Sequence, residues 1–200
     1  MKKLQILSLL LALPFWLQAQ NIQSPSQFLG YSLGDAFTYH HDMLDYFQHV
    51  SENSDKVKVE QYGKTYERRK LITAYISSEA NIKNLDQIRK NNLIASGLEE
   101  GTIEGKQIPI IWLSYNVHGN EAVSMEAAMK VLYDLVGETP LPDAEKWLEN
   151  MVIVIDPCEN PDGRDRYANW YNQAKNKTPN ANPDAWEHYE PWPNGRYNHY

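Results

Sequence analysis

His118-Gly119-Asn120-Glu121 sets an imidazole and a carboxylate three residues apart, directly after the apolar run Ile108 to Leu113. With the imidazole at a strand end and the carboxylate in the first turn of the next helix, the two can turn toward one point. Zinc accepts both ligand types at about 2.0–2.2 Å, and a catalytic zinc typically takes three protein ligands and a water. Gly119 would let the backbone bend sharply between them. The same residues have a plainer use, with Glu121 complementing a helix dipole and His118 bonding to a loop.

A second group follows a second apolar run, Met151 to Ile155: Pro157-Cys158-Glu159-Asn160-Pro161-Asp162-Gly163-Arg164-Asp165-Arg166. Asn160-Pro161-Asp162-Gly163 has Pro and Gly where a type I turn wants them. A guanidinium offers a planar fork for a carboxylate or a polarised carbonyl oxygen, which makes Arg164 and Arg166 candidate substrate-binding residues. The competing use is a salt bridge to Asp162 or Asp165.

Elements with the right periodicity surround both groups. Met43, Leu44, Phe47 and Val50 recur at three- and four-residue spacing and predict an amphipathic helix over 39–50. Val57, Val59 and Gln61 alternate with charged residues, Gly63-Lys64 reads as a turn, and Leu71 to Ile76 returns as a second strand of a hairpin. Leu85 and Ile88 mark a helix that Gly97 would stop. The runs at 108–113 and 151–155 read as strands buried on both faces. Between them, helices are expected over 120–136, with Val123, Ala127, Val131, Leu132 and Leu135 as its stripe, and over 143–150. Strands alternating with helices give an α/β fold with a mixed, largely parallel central sheet flanked by helices. In such sheets, sites form beyond the carboxyl ends of the strands, where His118 and Asn160 fall. After Asp156, six prolines and many Asn, Trp and Tyr residues describe a long, irregular, functional segment.

The 200 residues allow one domain or part of a larger one. Lys and Arg number 19 against 26 Asp and Glu, a net charge of −7 that excludes the concentrated basic face of a nucleic-acid binder. The single cysteine, Cys158, excludes an internal disulfide and any zinc site that needs a Cys pair, so a metal would be held by His and carboxylates. Lys2 and Lys3, the apolar run Leu4 to Leu17, and Gln18-Ala19-Gln20 form a secretory signal peptide over 1–19. That run is shorter than the roughly 20 residues a membrane span needs. The mature chain is therefore expected to be secreted or periplasmic.

Taken together, these motifs resemble the zinc carboxypeptidase family, the carboxypeptidase A-like metallopeptidases. Gly63 to Arg69 resembles the family's early turn-and-strand signature, His118-Gly119-Asn120-Glu121 its His-x-x-Glu zinc motif, and Asn160-Pro161-Asp162-Gly163 its Asn-Pro-Asp-Gly turn. The resemblance implies a peptidase with His118 and Glu121 as zinc ligands, a zinc-activated water, a Glu as general base, and arginines on the oxyanion and the terminal carboxylate of a peptide or protein substrate. The family's third ligand and general base come later than Tyr200, which implies a domain truncated at its C-terminal side. Its arginine also comes later than those here, and Arg166 is the preferred candidate. His188 and His199 come too early for the third ligand. His40, His41 and His49 read as a solvated helix face, and Glu67-Arg68-Arg69-Lys70 as a solvated turn. Two rival functions stay open: an aspartoacylase- or desuccinylase-like zinc amidohydrolase, and a non-catalytic peptide-binding pseudo-peptidase.

Overall fold

Four strands form one sheet in the order β1-β2-β4-β3: β1 (Val57–Lys64), β2 (Lys70–Ile76), β3 (Ile110–Ser114) and β4 (Val152–Asp156). The computed structural model describes residues 22–121 and 123–174. The expected leader at 1–19, both late histidines and the aromatic segment from Trp186 to Tyr200 lie outside those residues. The sheet is mixed: β1 with β2 and β2 with β4 are antiparallel, and only β3 with β4 is parallel. The sheet is mixed as expected; parallel pairing holds for the strand pair that carries the motifs, and the other two pairs among the described strands are antiparallel.

Alternation in β4 shows how the sheet is covered. Ile153 and Ile155 face a core built with Met43, Phe47 and Val50 of α2 (His40–Glu52) and Met125, Met129 and Leu132 of α5 (Ser124–Val136). Val152 and Val154 face the other side, with Ile88 of α4 (Leu85–Ala95) and Ile108. A strand with both faces covered is apolar throughout, and all five β4 residues are buried. β3 was expected to be the same, but it lies at the sheet edge, and Ile110, Ile111 and Trp112 are 38%, 40% and 58% exposed. The smaller helices are α1 (Pro25–Leu29), α3 (Glu79–Lys83) and α6 (Ala144–Asn150).

Three further expectations need correction. Gly63 and Lys64 still belong to β1, where the register shifts between Gln61 and Gly63; the hairpin turns over 65–69 instead. There Arg68 takes a left-handed φ of 67°, and Thr65 and Arg69 close the turn by a 2.9 Å main-chain bond. The stripe of α5 is rotated: Leu132 and Leu135 are buried as expected, but Val123 precedes the helix and is exposed. Residues 161–174, expected to be irregular, form α7 (Pro161–Ala174). Proline suits a first helical position because the amide it lacks has no partner there, so Pro161 starts the helix rather than breaking it.

Helix α7 is tied to the rest through a buried ion pair. Arg164 is 0% exposed; its guanidinium donates to Glu126 of α5 and, through Nε, to the Thr38 carbonyl at 3.1 Å, and it lies 5.3 Å from the centre of the Phe37 ring. Glu126 also accepts the Thr38 amide at 2.7 Å. Removing one partner of such a pair strands a charge in the interior. Arg164→Met is expected to lower stability by about 3–5 kcal/mol, read from the urea unfolding midpoint, and Glu126→Leu combined with it to lower stability less.

His40, at the start of α2, is buried rather than solvated, and burial lowers its pKa from the ordinary 6.5. Asp165, the Lys70 carbonyl and Asp162 oppose that shift, and Arg69 adds to it. The unfolded chain then takes up a proton that the folded chain refuses, so stability is full above about pH 6.5 and falls as pH drops below it. His40→Gln should flatten that part of the stability–pH curve.

Candidate metal centre

The parallel pair β3–β4 ends with Ser114 opposite Asp156, so the segments after both strands leave from the same rim of the sheet. Main-chain pairing continues past the strands. Tyr115 donates to the Asp156 carbonyl at 2.9 Å, Glu159 to the Tyr115 carbonyl at 3.0 Å, and Asn160 to the Asn116 carbonyl at 3.1 Å. Asn116 then turns the chain at a left-handed φ of 56°, a conformation that asparagine tolerates better than most residues. Its Nδ2 donates to the His118 carbonyl at 2.7 Å, which fixes the loop that carries the imidazole.

His118 and Glu121 do converge. The His118 Nδ1 lies 2.8 Å from the Glu121 Oε1, and the His118 amide donates to the other carboxylate oxygen at 3.1 Å. Partial burial works against the Glu121 carboxylate, but its hydrogen bonds to His118 prevail, so its pKa lies below the usual value. Glu121 sits in the turn before α5 rather than in its first helical turn. Its amide bonds to the His118 carbonyl at 3.1 Å, and its own carbonyl accepts Ser124 as the helix begins. Both side chains remain accessible, 34% and 40% exposed.

Behind this loop lies the first turn of α7. Asn160 caps it, its Oδ1 accepting the Gly163 amide at 2.9 Å, a cap worth about 1 kcal/mol. The Asn-Pro-Asp-Gly stretch is therefore a helix start and not a free turn. Gly163 meets Gly119 backbone to backbone: a Cβ on Gly119 would fall 2.1–2.5 Å from the carbonyl carbon, oxygen and Cα of Gly163. Only the smallest residue fits, so Gly119 serves close approach; its φ lies outside the left-handed region, and the expected need for a bend is not what requires glycine there.

The two candidate arginines separate. Arg164 is committed to Glu126 and Thr38 inside the protein, which corrects the expectation that it meets substrate. Arg166, two residues on and so about 200° around the helix, is half-buried. Cys158 is a buried thiol, and burial raises its pKa far above the range of a nucleophile.

The sequence reading missed the residues that hold the rim together. Arg69 was taken for part of a solvated turn, yet it bonds to Asp162 and Asp165. Asp156 is buried, with its Oδ2 accepting the Tyr62 hydroxyl at 2.6 Å, and burial raises its pKa. Nothing in spacing reveals these pairs, because their partners are about a hundred residues apart. A polar residue ending an otherwise wholly apolar strand was the one visible signal for Asp156.

The donor set suits zinc in type and access. Two ligands sharing a tetrahedral zinc at about 2.0–2.1 Å would sit roughly 3.3 Å apart, so the 2.8 Å contact needs only a small opening. Among the described residues, no group of three His, Cys, Asp or Glu side chains converges.

A mixed sheet flanked by helices, with an accessible His–Glu pair at its carboxyl rim, is an α/β fold whose candidate site lies beyond the strand ends. The zinc carboxypeptidase family profile matches residues 43–199, most of the chain, and the protein belongs to that family. Its fold is similar to that of thrombin-activatable fibrinolysis inhibitor, at a TM-score of 0.50 and 17% identity, covering 75% of this chain and 32% of that one. Carboxypeptidase A from Helicoverpa armigera aligns at a TM-score of 0.49 and 20% identity, covering 70% and 31%. The chain thus spans about a third of the length of these two structures. No curated protein sequence matches it.

Because the Gly119–Gly163 contact is between backbones, a methyl group there can be admitted only by moving one segment. Gly119→Ala is expected to cost at least the upper end of the about 1–3 kcal/mol typical of overpacking. Gly163→Ala, whose new Cβ would come nearest to side-chain atoms of Asn160, at 2.8–2.9 Å, should cost less by the same unfolding measurement.

Proposed function

We propose that the protein is an exported zinc-dependent metallopeptidase, a metallocarboxypeptidase that releases residues from the carboxyl end of peptides or proteins. The observation that carries this reading is the convergence of His118 Nδ1 and the Glu121 carboxylate on the sheet rim of a zinc carboxypeptidase family member. His118 and Glu121 would hold the ion; the third ligand and the general base we assign to sequence beyond Tyr200. When bound, zinc polarises the scissile carbonyl and lowers the pKa of a water that attacks it. The residues of this chain orient that chemistry. Asn116 fixes the His118 carbonyl, the Glu121 carboxylate is kept ionised by its bonds to His118, and the first turn of α7 backs the loop. Arg166 is the candidate for the substrate carboxylate, a role for which the guanidinium fork is suited.

Export rests on Lys2, Lys3 and the apolar run Leu4 to Leu17, read as a leader over 1–19. No described helix is long and apolar enough to cross a membrane. Two ligands hold zinc weakly, so the 200-residue chain alone is expected to show little or no peptidase activity.

Zinc stoichiometry of the whole gene product, beside a His118→Ala, Glu121→Ala variant, tests the reading. One zinc per chain, absent from the variant, is the expected result, and C-terminal residue release from peptides should vanish with it. No zinc in either protein would overturn the metallopeptidase reading in favour of a binding module.

A further inference from the structure

Between the hairpin tip and the start of α7 lies a knot of polar contacts that no zinc or substrate role explains. The Arg69 guanidinium donates from Nη1 to Asp162 Oδ1 at 2.7 Å and from Nε to Asp165 Oδ2 at 2.8 Å, and also pairs with Glu67. Both α7 carboxylates are well enclosed, Asp162 at 8% and Asp165 at 13% side-chain exposure. Each is engaged further. Asp162 accepts the Thr65 hydroxyl at 2.7 Å and the Glu67 amide at 3.3 Å, and Asp165 accepts the His40 amide at 2.9 Å. Thr65 Oγ1 in turn accepts the Arg69 amide at 3.1 Å. Burial works against the Arg69 charge, yet its bonds to Glu67, Asp162 and Asp165 hold the guanidinium firmly protonated.

The two carboxylates flank Gly163, the residue whose backbone presses on Gly119 beside His118. A load path therefore runs from Arg69 through Asp162 and Asp165 to Gly163, and from there to the loop that presents the imidazole. The opposite side of that path is closed by the Asn160 amide bond to the Asn116 carbonyl. Charge-assisted bonds from two nitrogens of one planar guanidinium to two carboxylates fix their relative placement, which the point charge of an ammonium does less well. Supporting groups that orient a metal ligand typically affect metal affinity 10–100-fold.

We infer that Arg69 is a positioning residue for the metal centre, holding the Asn160–Arg164 turn against the His118 loop so that His118 and Glu121 face one ion. This inference rests on the zinc reading of His118 and Glu121. It gives the Gly63–Arg69 stretch a task at a site some fifty residues further along the sequence.

The test is zinc affinity, measured by chelator competition on the folded whole gene product, with urea stability measured separately. Arg69→Ala should weaken zinc binding by about 10-fold, the low end of the effect of groups that bond a metal ligand directly, because Arg69 acts through Asp162 and Gly163. Arg69→Lys should recover part of that loss. Thr65→Val, a milder change on the same carboxylate, should weaken binding by less and keeps the test open if Arg69→Ala does not fold. Lys83→Gln, at an exposed ion pair with Glu79 on α3 and outside the knot, should leave zinc affinity unchanged. Lower urea midpoints with wild-type zinc affinity in the Arg69 and Thr65 variants would overturn this inference alone. Wild-type protein that binds no zinc would overturn the metal reading, and this inference with it.

Discussion

The contact on which the site depends is the meeting of two glycine backbones, Gly119 after β3 and Gly163 in the first turn of α7. Parallel pairing brings the two strands to a common rim, but parallel strands alone leave their following loops free to diverge. Here the ladder runs on through Tyr115, Asn116, Glu159 and Asn160, and the glycines let the segments close to van der Waals contact. Close packing of that kind transmits position, because a dense interior gives little before something else must shift. The imidazole of His118 is therefore located by the helix behind it as much as by the strand before it.

Helix α7 can serve as that backing because it is anchored twice. Its inward face places Arg164 on Glu126, which joins it to α5 and to the chain entering α2. Its first turn places Asp162 and Asp165 on Arg69, which joins it to the β1–β2 hairpin. Carboxylates at a helix start also complement its dipole, so the acidic residues stabilise α7 and fasten it at once. Three segments distant in sequence, the hairpin, the chain entering α2 and α5, thus converge on residues 162–165. The cost is a set of buried charges whose value appears only when every partner is present.

Much of this was legible in the sequence, and the failures share a cause. The helix over α2, the two strands of the hairpin, the helix stopped at Gly97, whose φ is 73°, and the strand β4 follow from periodicity and local chemistry and stand as expected, while the hairpin's turn falls at 65–69. The His–Glu pair was legible because both residues lie on one short loop. An apolar run reports what a strand can bury, and β3, an edge strand among the described residues, has one neighbour there. Asn-Pro-Asp-Gly suits a turn and a helix start equally; which it becomes depends on Asn160 capping a chain that continues as a helix. Arg164 and Arg69 were misassigned because charge and spacing do not disclose partners such as Glu126 or Asp162, which only the fold brings near. A solvated turn and a structural clamp have the same composition.

The central claim is that an imidazole and a carboxylate on the rim of this sheet bind zinc. X-ray absorption at the zinc edge of the whole gene product, purified without added metal, addresses it most directly. Zinc held by His118 and Glu121 gives nitrogen and oxygen neighbours only, at about 2.0–2.2 Å, with an imidazole contribution that diminishes in His118→Ala. A sulfur neighbour at about 2.3 Å, or a first shell unchanged by loss of His118, would contradict it.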